Sequence, residues 1–282
     1  MSPSREHPDI PTPVVNVPGG GGGAEAHQGF GVPAPSYNQI KRVVAVMSGK
    51  GGVGKSSVAG LLAVDLTHKG FKVGILDADI TGPSIPKEFG IHGPVTAAEE
   101  GIDPPRSGLG IKVMSLNLFL ENEEDPVIWR GPLITSAIKQ FWTDVVWGEL
   151  DYLVVDLPPG TGDATLTVLQ SLPIDAVVIV TSPQQVVTMI VRKAIKMTEM
   201  LGVKVLGVVE NYAYLTCPDT GKRLEIFGPS HAGEITTSTG LPVLASLPID
   251  PELASLADQG RIEEYRPELG FDLSEQLPVD GN

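Results

Sequence analysis

Cysteine is nearly absent from this chain. Cys217 is the single one in 282 residues, which excludes an internal disulfide. Basic residues are also scarce: 20 Lys and Arg stand against 34 Asp and Glu, for a formal charge of −14. That balance argues against a nucleic-acid-binding surface. No apolar run approaches the ~20 residues that a bilayer span requires. The acidic residues at the C-terminal end do not suit an amphipathic membrane helix, so no membrane association is expected. The N-terminus lacks a charged-then-apolar signal pattern, and a cytoplasmic location is the expectation.

What the chain does have is glycine in one decisive place. Residues 48–57 read SGKGGVGKSS, in which Gly49, Gly54, Lys55 and Ser56 fill the G-x-x-x-x-G-K-[ST] pattern. Glycines let the backbone wind tightly enough for several N–H groups to converge on a di- or triphosphate. The helix that follows aims its positive end at the same anion. Gly49, Lys50, Gly51, Gly52, Val53, Gly54, Lys55, Ser56 and Ser57 are therefore candidate ATP-binding residues, with Lys55 reaching the β/γ-phosphates and Ser56 on Mg²⁺. Lys50 is not needed to cradle phosphate. It marks a subclass in which this lysine reaches across a dimer interface to the partner's nucleotide.

The flanks agree with the loop. Arg42 to Met47 is a β-branched apolar run suited to a buried strand. Val58, Leu61, Leu62 and Leu66 recur at helical spacing, and Gly70 stands where a helix should stop. Further strands are expected at 72–77, 111–116, 151–156, 175–181, 203–209 and 242–246, and helices near 55–69, 131–148, 162–171, 184–201 and 230–239. Such alternation implies an α/β fold, a doubly wound and mainly parallel sheet with helices on both faces. Its ligands gather at the carboxyl ends of the strands. With 41 % hydrophobic residues the chain can bury one core, placed at 41–260. Residues 1–40 hold seven prolines (Pro3 to Pro35) and five consecutive glycines, and read as a disordered arm. Residues 261–282 read as an acidic tail.

Two aspartate motifs fall at strand ends. Leu76-Asp77-Ala78-Asp79 puts carboxylates where they order Mg²⁺-bound water or aim an attacking water at the γ-phosphate. Tyr152 to Asp156 is an apolar strand ending in an acid, the Walker B arrangement, followed by LPPGTGD. Asp156 is then a Mg²⁺ partner, and Gly160 lets a backbone N–H swing toward the γ-phosphate. Each aspartate alone would read as a cap or turn residue, and Asp163 is open to that reading still.

Together these motifs resemble the Mrp/ApbC family of deviant Walker A ATPases, relatives of MinD, ParA and the nitrogenase iron protein. The stretches that carry the resemblance are SGKGGVGKSS (48–57), LDADITGPSIP (76–86), WRGP (129–132), WGELDYLVVDLPPGTGD (147–163), the run from ENYAY to LEIFG (210–228) and LPIDPEL (247–253). The resemblance implies an ATP-sandwich homodimer that binds an iron–sulfur cluster at its interface and passes it to apoprotein clients. It gives Lys50 the partner's nucleotide, Asp79 the hydrolytic water, and Asn211 the adenine, with Pro248, Ile249 and Asp250 flanking the base. The alternative for Asn211 is a plain turn asparagine. The chain departs from the family at Cys217-Pro218-Asp219-Thr220, where a C-x-x-C pair is expected. Cys217 is then the single iron–sulfur ligand per chain, and two thiolates plus outside ligands could hold a labile cluster. The alternative is an ATP-driven dimerisation switch that recruits a partner protein and holds no metal. Ile190 and Gln185 also stand where family members usually carry acids.

Overall fold

The structure, a computed structural model, describes residues 34–79, 82–93, 95–97, 99–119, 131–183, 187–266 and 269–279. Residues 1–33 of the expected arm, Trp129, Arg130 and Gln185 lie outside these. The chain runs β1 (Gln39–Ser48), α1 (Lys55–His68), β2 (Val73–Asp77), α2 (Ile85–Glu88), β3 (Thr96–Ala97), β4 (Ile102–Asp103), β5 (Lys112–Ser115) and α3 (Gly131–Thr143). It continues through β6 (Glu149–Asp156), α4 (Asp163–Ser171), β7 (Ala176–Thr181), α5 (Val187–Met200), β8 (Lys204–Thr216) and β9 (Arg223–Leu224). The last elements are α6 (Ala232–Thr239), β10 (Val243–Pro248), α7 (Pro251–Asp258) and α8 (Leu273–Gln276).

Seven strands form a parallel sheet in the order β10-β8-β7-β1-β6-β2-β5, and β9 pairs antiparallel with the end of β8. Every residue of β2 and β7 is buried, as expected of strands covered on both faces. The order reverses around β1. Right-handed crossovers therefore send α1 to one face and α4, α5 and α6 to the other. The packing agrees: α1 lies against α2 and α8, while α3 packs on α4 and α5 on α6. The reversal opens a crevice where β1 ends between β6 and β7, which is where such sheets bind ligands.

The expected fold class is therefore the observed one; besides the unforeseen short elements α2, β3, β4, β9, α7 and α8, four segments differ. First, β1 starts at Gln39 and the segment before it is anchored. Asn38 Nδ2 donates to the Val145 carbonyl, Asn38 Oδ1 accepts from Gly148 N–H, and Tyr37 donates to the Thr143 carbonyl. Second, α3 stops at Thr143 and not at 148, because Val145 bridges to Ile102 and Val146 N–H is given to the Ile102 carbonyl. Third, β8 runs to Thr216 rather than ending at 209, held by β10 on one side and β9 at its end. Fourth, the described part of 261–282 is no free tail. Ile262, Leu269, Leu273 and Val279 join the core, and Tyr152 donates its hydroxyl proton to the Leu277 carbonyl. This strip covers the outer side of α1, which is why that helix is buried nearly all round.

Candidate functional site

The loop from Gly49 to Gly54 leaves β1 at the crevice and opens α1. Gly52 and Gly54 hold φ of +77° and +76°, a left-handed backbone natural to glycine. Space demands glycine at 54 as well: a Cβ there would lie 2.2 Å from Asn211 Nδ2 and 2.7 Å from the Tyr212 hydroxyl. At Gly49 a Cβ would lie 1.5 Å from Cγ2 of Ile190, so α5 rests a methyl group directly on the loop.

Beneath the loop, Lys55 Nζ stands 2.6 Å from Asp156 Oδ1, and the Ser56 hydroxyl donates to Asp156 Oδ2 at 2.5 Å. Lys55 and Asp156 are almost wholly buried. Burial raises the Asp156 pKa, while Lys55 and Ser56 pull it partway back. Asp77 faces Asp156 in register from β2. Its carboxylate accepts backbone N–H groups from Asp79, Ser84 and Ile85, and so folds the segment after β2 around itself. Burial first, then the Asp156 charge, holds the Asp77 pKa well above the usual carboxylate range. Asp79 is buried to 8 % exposure at the cleft edge.

The cleft itself has a volume of about 300 Å³. Its walls include Gly51, Gly52, Gly54, Lys55, Ser56, Ser57 and Asp79, so most of the expected phosphate-site residues converge. Lys50 is half-exposed and does not line this cleft. Gly160 has φ +89° and gives its N–H to the Ser48 carbonyl, tying the loop after β6 to the end of β1. Asp163 is the first residue of α4, where its charge favours the helix dipole.

Asn211 lies within β8, not beyond a strand end. It is buried, and its Nδ2 donates to the Val53 carbonyl at 2.9 Å, bracing the phosphate loop from below. Pro248, Ile249 and Asp250 stand at the end of the edge strand β10 and do not line the cleft. Asp250 caps α7 through Glu252 N–H and accepts the Tyr265 hydroxyl proton. Cys217 opens an exposed turn beyond β8. Thr220, at the position where a second cysteine was expected, hydrogen-bonds the Cys217 thiol, and with backbone N–H groups of 219 and 220 lowers its pKa.

Three further residues, given no role by any motif, line the cleft. Tyr212 adopts φ +58°, an uncommon conformation for a side-chain-bearing residue, and its ring lines the cleft. Ser84 caps the region of α2 and bonds Glu88 Oε1 at 3.1 Å. Glu88 is half-buried, but its Oε2 is shielded from solvent and has no hydrogen-bond partner among the described residues. Burial pushes the Glu88 pKa up to about 7. A Ser and Glu four residues apart were a readable signal for the Ser84–Glu88 pair. Tyr212 offered none, since its role depends on a backbone twist.

The donor set is hard oxygen beside a buried cation and a glycine-rich loop. It suits a polyphosphate with a divalent cation.

Comparison with known proteins agrees. The family model described as ParA, NUBPL iron-transfer P-loop NTPase, matches residues 39–270. An iron-sulfur cluster carrier protein of Clostridium perfringens is 49 % identical over 238 residues, 82 % of this chain and 84 % of the relative. One from Pyrococcus horikoshii is 42 % identical over 269 residues, 89 % and 87 % of the two chains. A nucleotide-binding protein from Archaeoglobus fulgidus, solved with ADP, superposes with TM-score 0.75 at 48 % identity, covering 82 % of this chain and 90 % of that one. The MinD septum-site protein of Pyrococcus horikoshii, with Mg-ADP, shares the fold at TM-score 0.58 and 19 % identity, over 82 % and 91 %. From its glycine loop to its buried Lys55–Asp156 pair, and across most of its length, this chain is a member of the ParA/NUBPL iron-transfer P-loop NTPase family.

Proposed function

We propose that the chain binds and hydrolyses Mg-ATP as a homodimer and uses that cycle to carry an iron–sulfur cluster to apoprotein clients. The observation that carries this reading is the meeting of Lys55, Ser56 and Asp156 under the glycine loop. In the cycle, Lys55 exchanges Asp156 for the β/γ-phosphates, and the loop N–H groups take the remaining charge. Ser56, Asp79 and Asp156 would hold Mg²⁺, which supplies charge neutralisation at the phosphates. Asp79 then orients the attacking water. Gly160 N–H, now on the Ser48 carbonyl, is placed to trade that partner for the γ-phosphate. Lys50, half-exposed beside the glycine loop, is the candidate for a role on the second copy's nucleotide. Adenine recognition by Asn211 would use the donor left after its bond to Val53, with Pro248, Ile249 and Asp250 beside the base.

Cargo would sit at Cys217. Hydrogen bonds that lower its pKa favour the thiolate, the form that ligates iron. Two copies offer two thiolates, so a cluster needs two further ligands from a small thiol or the client. β8 links the two ends: Tyr212 lines the cleft, and Cys217 follows about 17 Å further along the chain at 3.3 Å per residue. One observation favours a second reading, a dimerisation switch without a cluster. Thr220 stands where the second cysteine of the pair is expected, which leaves one thiol per chain.

Anaerobic reconstitution separates the two readings. Iron and sulfide bound stoichiometrically per dimer, and lost in Cys217→Ser, is the expected result for a carrier. No bound iron in either protein would leave the switch.

A further inference from the structure

On the helical face that carries α3 to α6, the layer is not closed. α3 packs on α4 and α5 on α6, and between α4 and α5 runs a solvent-open groove of about 600 Å³. From α5 it is lined by Lys193, Lys196, Met197 and Met200, and from α4 by Leu166 and Gln170. The α5 residues fall at i, i+3, i+4 and i+7, and the α4 pair at i and i+4, so each helix presents one continuous stripe. Met200 is 79 % exposed, an unusual setting for a large apolar side chain. Methionine suits surfaces that repack around a partner.

Charge sets the chemistry of the occupant. Among the described residues the groove is lined by two lysines and no carboxylate, in a chain whose formal charge is −14. A second copy paired groove to groove would set these lysines against their own mates, like charge on like. A helix with apolar residues on one stripe and carboxylates flanking it would fill the gap and meet both lysines.

Both walls also connect to elements of the phosphate site. Thr161, at one end of the groove, lies in the loop between Asp156 and α4, and α5 seats Ile190 on Gly49. We infer that the α4–α5 groove docks an acidic amphipathic helix of a partner protein, and that its affinity changes with the nucleotide held at the phosphate loop. The coupling rests on the nucleotide binding proposed above; the docking does not.

The test uses the full chain and two synthetic peptides of about 20 residues, a length that supports helix formation. One carries Leu at i, i+3, i+4 and i+7 with flanking Glu; the other has Lys in place of each Glu. Calorimetry on nucleotide-free protein should show saturable binding of the Glu peptide and none of the Lys peptide. Lys193→Glu with Lys196→Glu should weaken binding at least tenfold, and Met200→Ala several-fold. No binding of the Glu peptide, or affinity unmoved by these changes, would overturn the docking site. A shift in the protein's own sedimentation caused by the lysine changes would overturn the choice of partner and make the occupant a second copy. Between ADP and a non-hydrolysable ATP analogue the Kd should differ about fivefold or more. Equal values, with both nucleotides shown to bind, would overturn the coupling alone.

Discussion

The nucleotide cleft and the Cys217 turn sit on the same strand, β8, and are built in opposite ways. In the cleft Asp156 is fully buried, and its two oxygens are taken by Lys55 and Ser56. Asn211 braces the loop from below and Ile190 packs on it from the side. At the turn the residues from Pro218 to Phe227 are all exposed, including Leu224, Ile226 and Phe227. The aromatic contacts there, Arg223 over Tyr214 and Phe227 beside Tyr212, are solvent-facing ones. A buried polar constellation works only if each member is satisfied, so it must be part of the core. The cleft is fixed by packing; the turn is left free of it.

The strongest break of that contrast is Asp156→Ala set against Cys217→Ser. Removing one partner of a buried ion pair leaves Lys55 uncompensated, at a cost of about 3 kcal/mol. The low end of the usual range is expected, because Asp77 is relieved of a like charge across the register. Urea denaturation should register that loss, together with loss of nucleotide binding. The same titration should leave the midpoint of Cys217→Ser unchanged, and a matching drop there would show the turn to be part of the core after all. Lys50→Ala refines the comparison within the loop itself. It should cut turnover roughly a hundredfold, the scale of losing one positioned charge, while the nucleotide affinity of the monomer stays near normal. Unchanged turnover would remove the role of Lys50 on a second copy's nucleotide.

What could be read in advance follows the same division. The phosphate loop, the strand before it and Asp156 after its apolar run are local patterns, and each lies where its neighbours in sequence put it. The alternation of strands and helices likewise sufficed for the doubly wound sheet. Asn211 could not be placed that way. Whether it ends a strand or lies inside one depends on β10 and β9 pairing with β8, contacts made by segments 12 to 37 residues away. Tyr212 enters the cleft through a left-handed φ that no propensity assigns to tyrosine. The acidic run from 261 looked like a tail by charge, yet four apolar residues spaced along it cap the core. Ile190 was visible only as a departure; its contact with Gly49 belongs to the tertiary packing of α5.

Glu88 gives the finest test, because it is a core-like feature inside the cleft that lacks the pairing seen at Asp156. Its Oε2 is shielded and has no hydrogen-bond partner among the described residues, and burial raises its pKa from 4.5 to about 7. The folded chain therefore holds this proton through a range where the unfolded chain has released it. By linkage the contribution to stability is complete below pH 4.5 and is lost as pH rises through 7. A shift of this size corresponds to between roughly 1 and 3 kcal/mol once partial exposure of the side chain is allowed for. Glu88→Gln cannot titrate, so its stability should fall less between pH 5 and 8 than that of the parent chain. The two should be nearly equal at pH 5, with the variant the more stable at pH 8. Parallel stability curves would mean that Glu88 finds solvent or a cation in the folded state, and that the cleft satisfies its carboxylates as evenly as it satisfies Asp156.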